Sequence, residues 1–100
     1  MKHTEFVLYE KVWMYPGKAS WYFVSVPQNT AEKITNGFGD LKRGWGSLRV
    51  RVIIGKTTWD TSIFHDSKTA TYLLPIKVSV RRAEAIVVGK NIKVFLTIKT

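Results

Sequence analysis

Hydrophobic and polar side chains alternate most regularly in residues 44–64, which read GWGSLRVRVIIGKTTWDTSIF. The first half of this segment separates into an inward set, Leu48, Val50, Val52 and Ile54, and an outward set, Ser47, Arg49, Arg51 and Ile53. A period of two with both arginines on one face predicts a half-buried antiparallel strand. Gly55 and Lys56 then predict a tight hairpin turn. Residues 57–64 continue as a second strand, with Trp59, Thr61 and Ile63 on one face.

Four further segments are rich in β-branched and aromatic residues or alternate in the same way, which is typical of strands. They are residues 4–13, 20–26, 69–74 and 91–100. The proline and glycine of residues 15–18 predict a turn that joins the first two segments in a hairpin. The His-Asp-Ser-Lys sequence of residues 65–68 predicts a polar turn. The last segment places alternate aliphatic residues in the core, namely Ile92, Val94, Leu96 and Ile98.

Two prolines each end a strand and precede a segment with helical spacing. After Pro27, Asn29 or Thr30 is a candidate N-cap, and Asn36-Gly37 predicts the end of a two-turn helix. The buried side of that helix would hold Ala31 and Ile34. After Pro75, apolar residues recur at helical spacing, and Gly89 stands where a C-terminal glycine belongs. The residues with this spacing are Ile76, Val80, Ala83 and Val87.

The predicted element order is therefore β-β-α-β-β-β-α-β, with two strand-proline-helix units of similar layout. One hundred residues suit a single domain spanning 1–100. Six or more short strands in that length favour a closed barrel, because closure removes strand edges that would otherwise template aggregation. The sequence predicts a mainly β fold: a small closed or partly open barrel of about six to seven strands with two short helices.

Composition adds a strongly basic balance of 16 Lys and Arg against 7 Asp and Glu, for a net charge of +9. A basic domain attracts polyanions, although evenly spread lysines also serve simply as a solubilising surface. There is no cysteine, which suits a reducing cytoplasm. No segment has the roughly 20 apolar residues of a membrane span or the features of a signal peptide. These observations predict a soluble cytoplasmic protein without membrane association.

Several motifs resemble those of a known family. They are WYFVSVP at residues 21–27, the 44–64 stretch, TYLLPIKVSVRRAEAI at residues 71–86 and the final glycine followed by an alternating strand. In these motifs the chain resembles the domain of unknown function 1905 family, from about Trp13 to Ile98. The resemblance implies a compact β-barrel that occurs alone or fused to another bacterial domain. It implies no particular activity.

Enzymatic and metal chemistry find little support in the sequence. His3 and His65 are the only histidines, and no three ligands share a metal-binding spacing. Ser62 lacks the glycines of a nucleophile elbow, and the acidic residues are scattered. The glycine pairs do not lead from a strand into a helix, as a phosphate-binding loop does. We therefore predict no catalytic residue, no metal and no cofactor, and the sequence favours a protein that is not an enzyme.

The candidate site is a basic patch composed of Arg49, Arg51, Lys77, Arg81 and Arg82, with Trp59 as a stacking or rim aromatic. The first two arginines share a strand face, and the other cations accompany the second helix. The patch predicts a binding or interaction module with a basic surface. Its partner would be a nucleic acid or other polyanion, another protein or a second copy of the chain. A nucleic-acid-binding barrel and a barrel that binds a small anion or metabolite remain alternatives.

Overall fold

The structure, a computed structural model, describes residues 4–17, 21–42 and 46–100. The strands are β1 Glu5–Met14, β2 Tyr22–Ser25, β3 Ser47–Ile54, β4 Thr57–Asp66, β5 Thr71–Pro75 and β6 Asn91–Ile98. The helices are α1 Gln28–Phe38 and α2 Val78–Ala83, with a short 3₁₀ turn at Gly39–Leu41. This order confirms the predicted β-β-α-β-β-β-α-β arrangement.

The six strands close into an antiparallel barrel in the order β1-β2-β5-β4-β3-β6. The two halves of the chain, β1-β2-α1-β3 and β4-β5-α2-β6, are related by a pseudo-twofold arrangement. Exchanging β1 with β4, β2 with β5 and β3 with β6 leaves the neighbours in this ring unchanged. At its centre β2 and β5 pair with each other through equivalent bonds. The N–H of Val26 donates to the C=O of Tyr72 at 2.9 Å, and the N–H of Ile76 donates to the C=O of Tyr22 at 2.8 Å.

The core fills the barrel from the inner faces of the strands, and the helices add side chains from the two ends. Because β2 and β5 are antiparallel neighbours, α1 and α2, which follow them, lie at opposite ends. Ile34 of α1 and Val80 of α2 are buried there. The predicted inward residues of β3 and β6 are all buried. No helix in the described ranges is long and apolar enough to cross a membrane.

The first helix is longer than predicted. It begins at Gln28, directly after Pro27, and no side chain caps its N-terminus. Asn29 Oδ1 instead accepts a bond from the adjacent N–H of Thr30 at 2.8 Å. The helix also continues through Gly37 to Phe38, whose ring is buried. Burial of this aromatic side chain outweighs the poor helix propensity of the glycine before it.

The second helix is shorter than predicted and ends at Ala83 rather than near Gly89. Ala85 has a φ of 52°, and the N–H of Ile86 donates back to the C=O of Arg81 at 2.9 Å. This is the Schellman arrangement that terminates helices, here with alanine in the left-handed position. Its apolar contact comes from Ile86, which is buried, whereas the predicted inward residues Ala83 and Val87 are exposed.

Two further boundaries differ from the sequence predictions. His65 and Asp66 belong to β4 and not to a turn, because β5 pairs with them as Tyr72 and Thr71. The turn therefore begins at residue 67, and the side chain of Asp66 accepts bonds from the next residues, including Thr69 Oγ1 at 2.7 Å. The predicted second strand, residues 20–26, is observed only over β2; its first residue lies outside the described ranges.

Candidate binding groove

The pairing between β4 and β5 is short and leaves a seam between these two strands. These strands pair at Phe64, His65 and Asp66 of β4. The preceding part of β4, from Thr57 to Ile63, pairs with β3 alone. On the other side of the seam β5 continues beside β2, which it pairs with up to Pro75. The strands thus diverge from the Phe64–Leu73 pair towards the α2 end of the barrel.

A cleft of about 990 Å³ occupies this seam, and we call it the seam groove. Its aromatic lining residues are Tyr15, Trp21, Tyr22, Phe23, Trp59 and Phe64. Its other lining residues are Asp60, Thr61, His65, Leu73, Pro75, Ile76 and Lys77. The volume is within the range of ligand-binding clefts, and the predominance of apolar side chains around a few polar groups is typical of them.

The backbone edge of β4 forms one wall of the groove. Trp59, Asp60 and Thr61 are consecutive and all line it, although their side chains alternate between the two faces of the sheet. The bond from Val26 to Tyr72 shows that Tyr72 directs its C=O towards β2, so its neighbours in β5 face β4. Those neighbours, Thr71 and Leu73, pair with Asp66 and Phe64. The even-numbered residues of β4 therefore direct their backbone groups towards β5.

It follows that three residues of β4 direct their N–H and C=O groups towards the β5 side of the strand: Thr58, Asp60 and Ser62, of which Asp60 lines the groove. They lie beyond the last residue of β4 that pairs with β5. The odd-numbered residues Trp59 and Thr61 direct theirs to β3 instead. The opposite wall is different, because Pro75 of β5 has no N–H to donate. The groove therefore has one strand edge with both donors and acceptors, on β4.

The aromatic wall is built by the β1–β2 hairpin. Phe23 is buried among Trp13, Tyr15 and Trp21, with ring centroids 5.2 to 6.2 Å from its own. The indole of Trp13 is fixed by a bond from Nε1 to Ser25 Oγ at 2.9 Å. Trp21, by contrast, is 58% exposed. An exposed tryptophan on a fixed aromatic base is a surface suited to stacking or to apolar contact.

Cations border the groove on both walls. Lys77 lines the β5 side, and the guanidinium of Arg81 lies 3.8 Å from the ring centroid of Tyr22. On the β4 side, Asp60 is held by Arg51 and Lys99, each at 2.9 Å. The hydrogen bonds from Arg51 and then Lys99 hold the pKa of Asp60 well below its usual value. The negative charge of Asp60, the one carboxylate among the lining residues, is therefore smaller than the combined positive charge of its two partners.

The sequence model of one family, described as Domain of unknown function (DUF1905), matches residues 10–96. The chain belongs to this family. A comparison with curated proteins gives no match. The match includes four strands and both helices in full, the second half of β1 and most of β6, so the barrel is the fold of a DUF1905 domain.

In this DUF1905 domain the predicted patch residues are divided between two places. Trp59 and Lys77 line the groove, and Arg81 covers one of its aromatic residues. Arg49 and Arg51 share the outer face of β3, as predicted. Arg51 bonds to Asp60, and Arg49 donates to Ser62 Oγ at 3.1 Å.

Arg82 is exposed on α2. Trp59 is partly buried and packs against the core, and it also lines the groove; its role as a stacking or rim aromatic stays a prediction.

Several groove residues of the DUF1905 domain did not stand out in the sequence. Tyr15, Phe64 and Leu73 line the groove, but nothing in their local pattern distinguishes them from core residues. Trp21 is one of four tryptophans in the sequence, and its local pattern does not single it out. Trp45, another of them, lies outside the described ranges. A more useful signal is the aromatic run Trp21, Tyr22 and Phe23, which puts rings on both faces of one short strand.

Catalytic and metal chemistry have no assembled site in the described ranges. No three His, Cys, Asp or Glu side chains cluster there as metal ligands. His65 packs edge-on against Tyr72 with centroids 5.2 Å apart. Ser62 Oγ accepts a bond from Arg49 at 3.1 Å. The seam groove combines a strand edge, an aromatic wall and bordering cations.

Proposed function

We propose that the protein is a non-enzymatic interaction module with a basic surface, and that the seam groove binds an extended peptide segment as an added strand on β4. The observation that carries the proposal is the backbone edge of β4 at Thr58, Asp60 and Ser62, which does not pair with β5 and borders an apolar cleft at Asp60. A strand edge supplies main-chain hydrogen bonds, and pockets for alternate side chains supply specificity.

The character of the edge supports this function. Natural sheets protect their exposed edges with proline, lysine or very short strands. The free part of β4, Thr57 to Ile63, contains neither residue type, and its one charge is neutralised by Arg51 and Lys99. An edge of this kind is suited to strand addition. The walls of the groove limit its non-specific pairing with other strands.

Apolar side chains lie on both sides of the path that an added strand would take. Towards the barrel interior are Trp59, Tyr22 and Ile76, and towards the outer surface are Phe64 and Phe23. Because successive side chains of a strand point to opposite faces, both sets of side chains of a bound segment would find apolar contacts. A preference for aromatic or aliphatic residues in the segment follows.

Amide hydrogen exchange tests the proposal residue by residue. Peptides enriched from a random seven-residue library on the immobilised protein serve as probes. We expect the amides of Thr58, Asp60 and Ser62 to exchange quickly in the free protein and to become protected when a selected peptide binds. Trp59 and Thr61 are the internal control, since their amides already face β3 and should change little.

Two results would contradict strand addition. One is an absence of enriched peptides. The other is a peptide that binds without protecting the even-numbered amides of β4. Peptides methylated on alternate backbone nitrogens provide a second test of main-chain pairing. They keep the side chains but lose the N–H donors along one edge of the peptide. Strand addition predicts that methylation on the bonding edge abolishes binding.

Nucleic-acid binding is the second candidate, favoured by the net charge of +9 and by the exposed ring of Trp21 in the groove that Lys77 also lines. Here the proposed patch of Arg49, Arg51, Lys77, Arg81 and Arg82 would contact phosphates, with Trp59 at its rim. Anisotropy with labelled single- and double-stranded oligonucleotides at low and physiological salt tests it. Binding that survives physiological salt and weakens in Arg49→Ala and Arg82→Ala would favour a nucleic acid over a peptide.

A further inference from the structure

We infer that the peptide segment taken by the seam groove is acidic, with a carboxylate that pairs with Lys77 at the α2 end of the groove. The inference rests on the proposed strand addition and specifies its partner. It comes from the uneven distribution of charge around the groove. The nearby carboxylates already have hydrogen-bonding or ionic partners, whereas Lys77 has no carboxylate partner within the described ranges.

Lys77 is the cation that a ligand would meet first. It is exposed in the link between β5 and α2, lines the groove, and has no carboxylate partner within the described ranges. Continuing the register of the Phe64–Leu73 pair places Lys77 level with Asp60 across the seam. Lys77 is therefore level with the middle of the β4 edge that an added strand would cover.

The carboxylates near this end are already occupied. Asp60 is bound by two cations, as described above. Glu84 accepts bonds from Thr57 Oγ1 at 2.6 Å and from the N–H of Lys56 at 3.3 Å, which hold it at the β3–β4 turn. Arg81 and Arg82 add two further positive charges on the adjacent helix. The net field at this end is positive, and it selects an anionic ligand group.

The edge of β4 distinguishes an acidic peptide from other anions. Phosphate groups of a nucleic acid would satisfy Lys77 but would leave the donors and acceptors of Thr58, Asp60 and Ser62 without main-chain partners. A peptide satisfies both, and an aromatic side chain on it would reach the exposed face of Trp21. The ligand class is thus an extended acidic segment that carries aromatic residues.

Peptide selection on matched charge variants tests this assignment. Random seven-residue libraries are selected on the wild-type protein, on Lys77→Glu and on Lys33→Glu, which makes the same charge change on the exposed face of α1. We expect wild-type and Lys33→Glu selections to be enriched in Asp and Glu beside aromatic residues. Lys77→Glu should bind the wild-type peptides about tenfold more weakly or worse, and should itself select Lys and Arg.

The outcomes separate this inference from the function on which it rests. If selected peptides protect the even-numbered β4 amides but are neutral or basic, strand addition stands and the acidic assignment is wrong. The assignment is equally wrong if Lys77→Glu selects the same peptides as the wild type. If oligonucleotides bind at physiological salt and displace every selected peptide, a nucleic acid is the ligand. Thermal unfolding of each variant checks that it is folded, and Lys77→Met supplies a neutral substitution at the same position.

Discussion

The carboxylate of Glu84 lies against the backbone of Gly55, so closely that a β-carbon at Gly55 would be only 2.0 Å from Glu84 Oε1. The other oxygen of Glu84 bonds to the two residues that follow Gly55 in the β3–β4 hairpin. Because Glu84 follows α2 directly, this contact ties the end of the helix to the tip of the hairpin.

Replacing Gly55 with alanine should destabilise the protein for two reasons. Gly55 has a φ of 57°, a conformation that costs other residues about 1–2 kcal/mol. The new methyl group also displaces the Glu84 carboxylate and breaks its bonds to Lys56 and Thr57. We expect a total loss of about 2–3 kcal/mol in the free energy of unfolding, measured by denaturant titration.

Gly17→Ala is the matched control, because Gly17 also has a positive φ, 79°, but no atom of the described residues lies within 4 Å of its added β-carbon. It should show the backbone cost alone, about 1–2 kcal/mol. In Glu84→Ala, the Gly55→Ala substitution should likewise cost only the backbone term. Equal effects of Gly55→Ala and Gly17→Ala would show that the glutamate contact contributes nothing to stability.

Most of the barrel was predictable because strand periodicity is a local property. The alternation in β3 and β6 matches their buried residues one for one. Helix ends were less predictable because contacts distant in sequence decide them. Phe38 extends α1 past a glycine by entering the core, and Ile86 ends α2 early by doing the same. Neither effect is visible in the local spacing of apolar residues.

The candidate site was predictable only in part, because a groove depends on where two strands diverge. Spacing correctly placed Arg49 and Arg51 on one face of β3, but not their partners across the sheet, Ser62 and Asp60. The divergence of β4 from β5 after Phe64 is a matter of barrel geometry, with no marker in the alternation. The role of the β4 edge could therefore be inferred only from the structure.

The ring of Phe38 is the contact that extends α1 beyond its predicted end. Phe38→Ala should lower the free energy of unfolding by about 3–5 kcal/mol, since it removes a fully buried aromatic side chain. Leu41→Ala, three residues later and 41% exposed, should cost less than about 1 kcal/mol. Denaturant unfolding measures both. Similar losses for the two variants would mean that the end of α1 is not anchored by Phe38.

Tyr72 and Thr35 share a hydroxyl–hydroxyl bond of 2.7 Å that joins β5 to α1. Tyr72 is fully buried, whereas Thr35 is exposed. Tyr72→Phe removes the buried hydroxyl and should cost about 0.5–1.5 kcal/mol. Thr35→Val leaves that hydroxyl without its partner and should cost about 1–3 kcal/mol.

The double variant of this pair completes a thermodynamic cycle. Its loss should be smaller than the sum of the two single losses, because the second substitution removes a group that has already lost its bond. Strict additivity in denaturant unfolding would show that the two hydroxyl groups do not stabilise each other. Valine is used at Thr35 because it is also β-branched, so helix propensity changes little.

The ion pairs of Asp60 predict how the protein responds to acid. Arg51 and Lys99 favour its ionised form, so its pKa in the folded protein is below the unfolded value of about 3.9. The stabilisation is therefore complete above the unfolded pKa and is lost as the pH falls below about 4 towards the folded pKa. Asp60→Asn should unfold at a lower temperature at pH 7 and lose less stability between pH 5 and pH 3 than the wild type.

Asp40→Asn, which makes the same charge change at an exposed site, should keep the wild-type acid response. Because the three side chains of the cluster are solvent-accessible, 1 M salt should reduce the difference between wild type and Asp60→Asn. An unchanged acid response in Asp60→Asn would mean that the cluster does not stabilise the fold.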